Sequence, residues 1–203
     1  MFRWLALAIL FGTIGVSGYY RRRARAATGT ISRSREPLRL IAGRLLVALP
    51  LFGGVLAYII SPGVMAWSSY TGPEWLRWVG VALGFSAILS ARWVLRAIGA
   101  NVSETILTKP SHQLVTHGPY RWIRHPLYTT GVLLFAALGL IASNWFILAF
   151  ALVALLSIRF VVVPMEEREL IGRFGAAYEA YRARTGAMSP RLRASGPRGV
   201  GVN

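Results

Sequence analysis

The chain alternates long apolar runs with short, strongly basic polar stretches, and that alternation sets its elements. A helix crossing the ~30 Å hydrocarbon core of a bilayer needs about 20 mainly apolar residues. Stretches 2–20, 38–60, 75–95, 127–141 and 145–163 approach that requirement. Pro50 lies inside the second and predicts a kink whose freed carbonyl must find a partner within the bundle. Ser61-Pro62-Gly63 ends that stretch, and Gly99 and Asn101 end the third. Only Ala142-Ser143-Asn144 separates the last two, which forces a helical hairpin. From Pro164 onward the chain reads MEERELIGRFGAAYEAYRART, an amphipathic helix with Leu170, Phe174, Tyr178 and Tyr181 at helical spacing. Such a face suits the membrane interface or the underside of the bundle. The Gly/Pro/Arg-rich tail, 186–203, has little to bury and is expected to be disordered. There is no internal repeat.

The fold class is therefore an all-α integral membrane protein, with about five transmembrane helices and a C-terminal cytoplasmic amphipathic helix. Residues 1–100 hold transmembrane helices 1–3, residues 101–185 form a core of loop, hairpin and cytoplasmic helix, and residues 186–203 are the tail.

Charge adds orientation. The net charge is +16, with eight arginines between Arg21 and Arg44 and seven more after Glu167. Basic residues flanking apolar spans mark the cytoplasmic side, where they also meet anionic lipid. Arg3 before an apolar run imitates a signal peptide, but the cluster Arg21-Arg22-Arg23-Ala24-Arg25 opposes translocation and no Ala-x-Ala cleavage site follows. The loop 61–74 has no Lys or Arg. The expected topology has the N-terminus outside and the C-terminus and active site cytoplasmic, in a bacterial-type inner (plasma) membrane. No DNA or RNA motif accompanies the charge, so no nucleic-acid partner is expected. Cysteine is absent, and three scattered histidines without nearby Asp do not read as a metal site.

The chemistry-bearing stretch is HQLVTHGPYRWIRHPLY, residues 112–128, which holds every histidine of the chain and cannot be a span. Arg124 and His125 precede Pro126, which starts a helix at its first turn and leaves N–H groups that favour a carboxylate or a hydroxyl-rich ligand. The alternative is that Arg121 and Arg124 snorkel to lipid phosphates. Tyr120, Trp122 and Tyr128 read either as interfacial belt residues or, beside carboxylates, as a cage for a sulfonium or ammonium. All seven acidic residues are Glu, and three of them are Glu166, Glu167 and Glu169. On a helix Glu166, Glu169 and Arg173 share a face while Glu167 points about 100° away. They either solubilise an emerging helix or attract a cation where the last span leaves the membrane. Arg159, about one turn inside that end, is an intramembrane ionisable candidate.

LVTHGPYRWIRHPLY, followed about forty residues later by EERELIGRFGAAYEAY, resembles the isoprenylcysteine carboxyl methyltransferase family, membrane enzymes related to phospholipid N-methyltransferases. The blocks RHPxY and EExxLxxxFGxxYxxY are specific in combination, and the match covers residues 112–184. The resemblance implies a methyltransferase dependent on S-adenosyl-L-methionine, with a cytoplasm-facing cofactor pocket and a lipophilic small-molecule or lipid acceptor entering from the bilayer. Carried over by position, the cofactor residues are His112, Gln113, Leu114, Val115, Tyr120, His125, Pro126, Leu127, Tyr128 and Glu166, with Thr105 a further candidate. Arg124 and Glu167 would orient or hold the reacting ends. Relatives acting on a prenylcysteine carboxylate have an arginine where this chain has Val162, and Arg159 is the candidate substitute. The acceptor reading is an isoprenylcysteine-type carboxyl group, with a phospholipid amine or a small thiol as alternatives. A sterol-reductase-like protein using reduced nicotinamide and a non-enzymatic membrane scaffold are the rival readings.

Overall fold

The structure is a computed structural model and describes residues 1–29, 38–102 and 113–191. Its α-helices are α1 (Phe2–Thr28), α2 (Leu38–Ile60), α3 (Glu74–Ile98), α4 (Pro126–Ala142), α5 (Trp145–Ser157), α6 (Val163–Phe174) and α7 (Ala176–Arg184). Among the described residues, four helices are long and apolar enough to cross a membrane: Phe2–Ala27, Leu38–Ile60, Glu74–Asn101 and Trp145–Phe174. The apolar α4 is shorter, 17 residues or about 26 Å at 1.5 Å per residue. Trp4, Phe11, Leu46, Leu49, Leu89 and Phe160 are exposed on this bundle. So many large apolar side chains on the outside suit lipid rather than water as the surrounding solvent.

α1 runs well past Tyr20, the expected end of the first stretch. The arginine cluster ends the apolar run but not the helix, because Arg and Ala are strong helix formers. α1 stops at Gly29, whose positive φ of 69° lets its N–H reach back to the Arg25 carbonyl at 2.9 Å. Pro50 lies inside α2, which keeps the bounds expected of it.

The packed core gathers Ile9 and Leu10 of α1, Leu51 and Val55 of α2, and Ala87 of α3 around Leu134, Leu138 and Ile141 of α4, with Ile147 of α5. α3 and α4 pack closely enough that a Cβ on Gly80 would stand 2.8 Å from the Ala137 carbonyl oxygen. One end of the bundle is tied by polar bonds. Asn144 caps α5 by accepting from the Ile147 N–H at 3.1 Å, and its amide donates to the Met65 carbonyl at 3.2 Å and to Ser68 Oγ at 2.8 Å. Arg77 of α3 donates to the Ile141 carbonyl at 2.8 Å and to the Tyr58 hydroxyl at 3.1 Å, and stacks over the Phe2 ring at 3.9 Å.

α5 does not stop where a new helix begins. A π-helical turn, Ile158–Val162, joins it to α6, and the Val163 N–H bonds back to the Ile158 carbonyl. Pro164, which has no N–H to give, stands two residues after the last residue of this widened turn. The amphipathic stretch is two helices rather than the single one its periodicity suggests. Gly175 adopts φ 51° and breaks it, a conformation that glycine enters without a Cβ penalty.

The segment after Arg184 departs from the expectation for the tail. Gly186 pairs with Ile123 in a parallel bridge. The Gly186 and Ala187 carbonyls accept from the Arg124 and His125 N–H groups, each at 2.9 Å, and the Gly186 N–H donates to the Trp122 carbonyl at 3.1 Å. Thr129 Oγ1 donates to the Met188 carbonyl at 2.8 Å. This strap exists because His125 and Arg124 sit before the first helical turn of α4 with N–H groups that need acceptors. Residues 192–203 lie outside the described residues.

Candidate active site

At the other end of the bundle from Asn144, a cavity of about 1080 Å³ opens among α1 to α7, the π-helical turn and the loop before α4. Gln113, Leu114, Val115, Tyr120, Arg124, His125, Leu127, Tyr128 and Glu166 line it. These are most of the residues singled out from sequence. Pro126 is fully buried behind His125 rather than on the wall. His112 and Thr105 lie outside the described residues. Asn101 and Gln113 close the site's edge with reciprocal bonds of 3.1 Å each.

His125 is the hub. It is the N-cap residue of α4, 5% exposed, and its ring stacks on Tyr128 with centroids 5.8 Å apart. Nδ1 stands 3.5 Å from Glu166 Oε2 and Nε2 stands 3.4 Å from Glu167 Oε1. Burial disfavours its charged form, but the two carboxylates outweigh that and raise its pKa above the usual histidine value. Helical spacing suggests that Glu166 and Glu167 diverge, yet one imidazole presents a nitrogen to each.

Glu167 does not line the cavity but holds the wall from behind. Arg124 Nε donates to its Oε1 at 2.8 Å, and Arg182 Nε lies 3.2 Å from its Oε2. Arg124 also donates from Nη1 to the carbonyls of Arg182 and Thr185, so its guanidinium locks α7 and the strap onto the corner. Tyr181 donates to the Tyr120 carbonyl at 2.7 Å. Burial pushes the phenols of Tyr120 and Tyr178 upward, with nearby glutamates adding to it, and pushes Tyr181 to about 12 against the pull of Arg124. All three remain protonated donors at neutral pH.

Among the described residues, three buried polar atoms of cavity-lining side chains have no hydrogen-bond partner. Glu166 Oε2 and the Tyr178 hydroxyl are buried without a hydrogen-bond partner, as is His125 Nε2, whose approach to Glu167 lacks hydrogen-bond alignment. An unsatisfied buried acceptor costs about 1–3 kcal/mol, so the wall is built for a ligand that offers a cation or a donor. S-adenosylmethionine, with its sulfonium and ammonium groups, fits that requirement. Glu166 would take a cationic or donor group, Tyr178 an acceptor, and Tyr120 and Tyr128 would supply ring faces.

Arg159 is not part of this arrangement. It is exposed, stacks on neighbouring Phe160 at 5.6 Å, and does not line the cavity, whereas Val162 does. The π-helical turn sets that phase, which counting residues along an ideal helix does not reveal. Several lining residues carried no signal for a site in the sequence: Arg21, Arg39 and Arg44 read only as flanking charge, and Tyr178 and Tyr181 as an amphipathic face. Arg182 was equally silent.

A family model described as phospholipid methyltransferase matches residues 75–177. The uncharacterized protein YpbQ of Bacillus subtilis is 37% identical over 57 residues, 28% of this chain and 34% of that protein. Methanethiol S-methyltransferase 2 of Bradyrhizobium diazoefficiens is 37% identical over 73 residues, 36% of this chain and 27% of that protein. The matched segments thus span about a third or less of those relatives' own length. A solved structure of the eukaryotic intramembrane Ras methyltransferase, isoprenylcysteine carboxyl methyltransferase, has a TM-score of 0.55 at 20% identity, covering 92% of this chain and 67% of that one. At that identity the likeness speaks for the fold.

Proposed function

Since this chain belongs to the phospholipid methyltransferase family, we propose that it is a membrane methyltransferase that uses S-adenosylmethionine and acts on a lipophilic acceptor. The observation that carries this reading is Glu166 Oε2, buried on the cavity wall near Tyr120 with no hydrogen-bond partner and with the His125 ring 3.5 Å away. When bound, S-adenosylmethionine would supply an electrophilic methyl group on a sulfonium, with the neutral thioether as leaving group. The work left to the protein is alignment and an environment tuned to charge that disappears in the transition state. Glu166 holds the cationic donor, and Tyr120, Tyr128, Leu114 and Val115 exclude water around it. His125 fixes the Glu166 carboxylate, and Arg124 and Glu167 hold His125. Were the acceptor an amine, Glu167 would be too tightly paired to take its proton freely.

The lining of the cavity supports a lipophilic acceptor over a small thiol. The cavity, about 1080 Å³, is walled mainly by apolar side chains, Leu10, Leu51, Leu134 and Phe135 among them, which would suit a hydrocarbon chain. The arginine-rich ends of α1 and α2 support a cytoplasmic mouth for the cavity and an outside location for the Asn144 end, in the sense of the positive-inside rule.

The test is calorimetry on the purified full chain in neutral detergent. S-adenosylmethionine should bind to the wild type and not to Glu166→Gln, and transfer of labelled methyl should reach a lipid extract or a prenylcysteine analogue. Binding of reduced nicotinamide without S-adenosylmethionine would overturn the reading in favour of a reductase. Full binding by Glu166→Gln would remove its carrying observation.

A further inference from the structure

Two partly exposed arginines stand at the end of the bundle remote from the cavity, Arg3 near the start of α1 and Arg77 near the start of α3. Arg77 is held firmly. Its Nε donates to the Ile141 carbonyl at 2.8 Å, its Nη2 donates to the Tyr58 hydroxyl at 3.1 Å, and its Cζ lies 3.9 Å from the centre of the Phe2 ring. A guanidinium has five N–H donors, so three remain beyond these two, both of those on Nη1 among them. Arg3, the next residue after Phe2, stands 4.7 Å from the centre of the Trp4 ring. Both guanidiniums lie within electrostatic reach of the Tyr58 hydroxyl, and Arg77 also reaches that of Tyr70, so the two charges share one corner. No carboxylate answers them. Among the described residues Glu74 is the one acid at this end, and it is exposed and paired with neither arginine.

The aromatic setting fixes their depth. Trp4, Trp67, Trp75, Trp78 and Trp145, five of the chain's seven tryptophans, are exposed at this end. Tryptophan concentrates where hydrocarbon gives way to headgroups, which puts the two guanidiniums at the level of lipid phosphate. Toward the bilayer centre the surface is apolar. Phe11 repeats the face of Trp4 seven residues on, and Phe85 that of Trp78, and both rings are exposed. Each lies about 10 Å deeper, along the line an acyl chain would take. Arg77 also differs from an arginine that merely snorkels, whose long side chain must be ordered by each lipid it meets. Phe2, Tyr58 and Ile141 order Arg77 in advance, so a phosphate here meets donors already in place.

We propose that Arg3 and Arg77, with the Tyr70 hydroxyl, form a binding site for the phosphate of a glycerophospholipid, a bound lipid that bridges α1 and α3 and is separate from any ligand of the cavity. Guanidinium groups pair with phosphate oxygens through charge-assisted, often bidentate, bonds. The phosphate supplies the negative charge that this corner lacks, and its acyl chains cover the exposed rings of Phe11 and Phe85. A lipid so placed ties together two helices whose starts meet through Phe2 and Trp78, with ring centroids 5.4 Å apart.

The experiment photolabels the full chain in neutral detergent with a phosphatidylglycerol that carries a diazirine at the head of one acyl chain, and maps the labelled peptides. Label should concentrate, saturably, in peptides that hold residues 1–11 and 70–85. Unlabelled phosphatidylglycerol and phosphatidylethanolamine should compete about tenfold better than diacylglycerol or inorganic phosphate, the scale of one charged hydrogen bond. Arg3→Gln should weaken labelling of these peptides by a similar factor, and Arg3→Lys should recover part of it. Arg77→Lys keeps the charge but not the planar fork and should weaken labelling in the same direction. A cooperative thermal transition reports that each variant folds, and Arg3→Gln, which loses only a contact with the Trp4 ring, carries the test if Arg77→Lys does not. Label spread evenly over both ends of the bundle would overturn the proposal. So would diacylglycerol or inorganic phosphate competing as well as phospholipid, or wild-type labelling in either folded variant.

Discussion

Replacing Glu167 with Gln isolates the ion-pair knot behind the cavity wall. Glu167 Oε1 is 2.8 Å from Arg124 Nε, and the two side chains are 9% and 8% exposed. Breaking a buried pair by removing one partner costs about 3–5 kcal/mol, because the remaining charge is left without an answer. Arg124 retains the carbonyls of Arg182 and Thr185, which places the expected loss at the lower end, about 3 kcal/mol. Arg182 touches the same carboxylate at 3.2 Å, but its side chain is 51% exposed. Its replacement by Gln should cost at most about 1 kcal/mol. For a chain of this size each kcal/mol is worth about 2–4 °C, so Glu167→Gln should lower Tm by about 6–12 °C and Arg182→Gln by no more than about 4 °C. Tryptophan fluorescence during thermal unfolding in neutral detergent provides the comparison. Equal shifts for the two variants would refute the assignment of Glu167 as a buried tether rather than a surface charge.

The remaining expectations concern pH, the strap and helix contact. The carboxylates raise His125 above its ordinary value near 6.5, so the stabilisation it provides is fully present below that pH and is lost as pH rises through its elevated folded value. The Tm difference between wild type and His125→Gln should accordingly be largest near pH 6 and shrink toward alkaline pH. A chain ending after Arg184 strips the Arg124 and His125 N–H groups of their acceptors at 2.9 Å and should lose S-adenosylmethionine binding in calorimetry, whereas one ending after Arg191 should retain it. Gly80→Ala drives a Cβ to 2.8 Å from the Ala137 carbonyl oxygen and should destabilise by about 1–3 kcal/mol in thermal unfolding, whereas Gly53→Ala, with nothing within 4 Å, should not.

Much of this molecule is legible from one-dimensional pattern. The apolar runs predict α2 at its observed bounds, and the short Ala142-Ser143-Asn144 connection between two such runs predicts the hairpin, because span length and connection length are local properties. Most of the residues picked from the RHP corner converge with Glu166 on one cavity. Arg159 and Val162 show where pattern stops: a π-helical turn shifts the phase of everything near it, and only the folded backbone reveals the shift. The strap was illegible for a different reason. Gly186 and Ala187 contribute carbonyls, which every residue has, so composition says nothing of their docking. Arg39 and Arg44 look the same in sequence whether they face lipid phosphates or a cavity.

The polar knot around Arg77 and Asn144 ties α1, α2, α3, α4 and the start of α5 at the end remote from the site. Helices bound at one extremity and separated by a void at the other behave like tongs: a small tilt at the rivet becomes a large displacement at the jaws. Spreading α1 and α2 apart at the cavity would leave the bonds of the rivet intact, so the cost of admitting a bulky guest would fall on apolar packing.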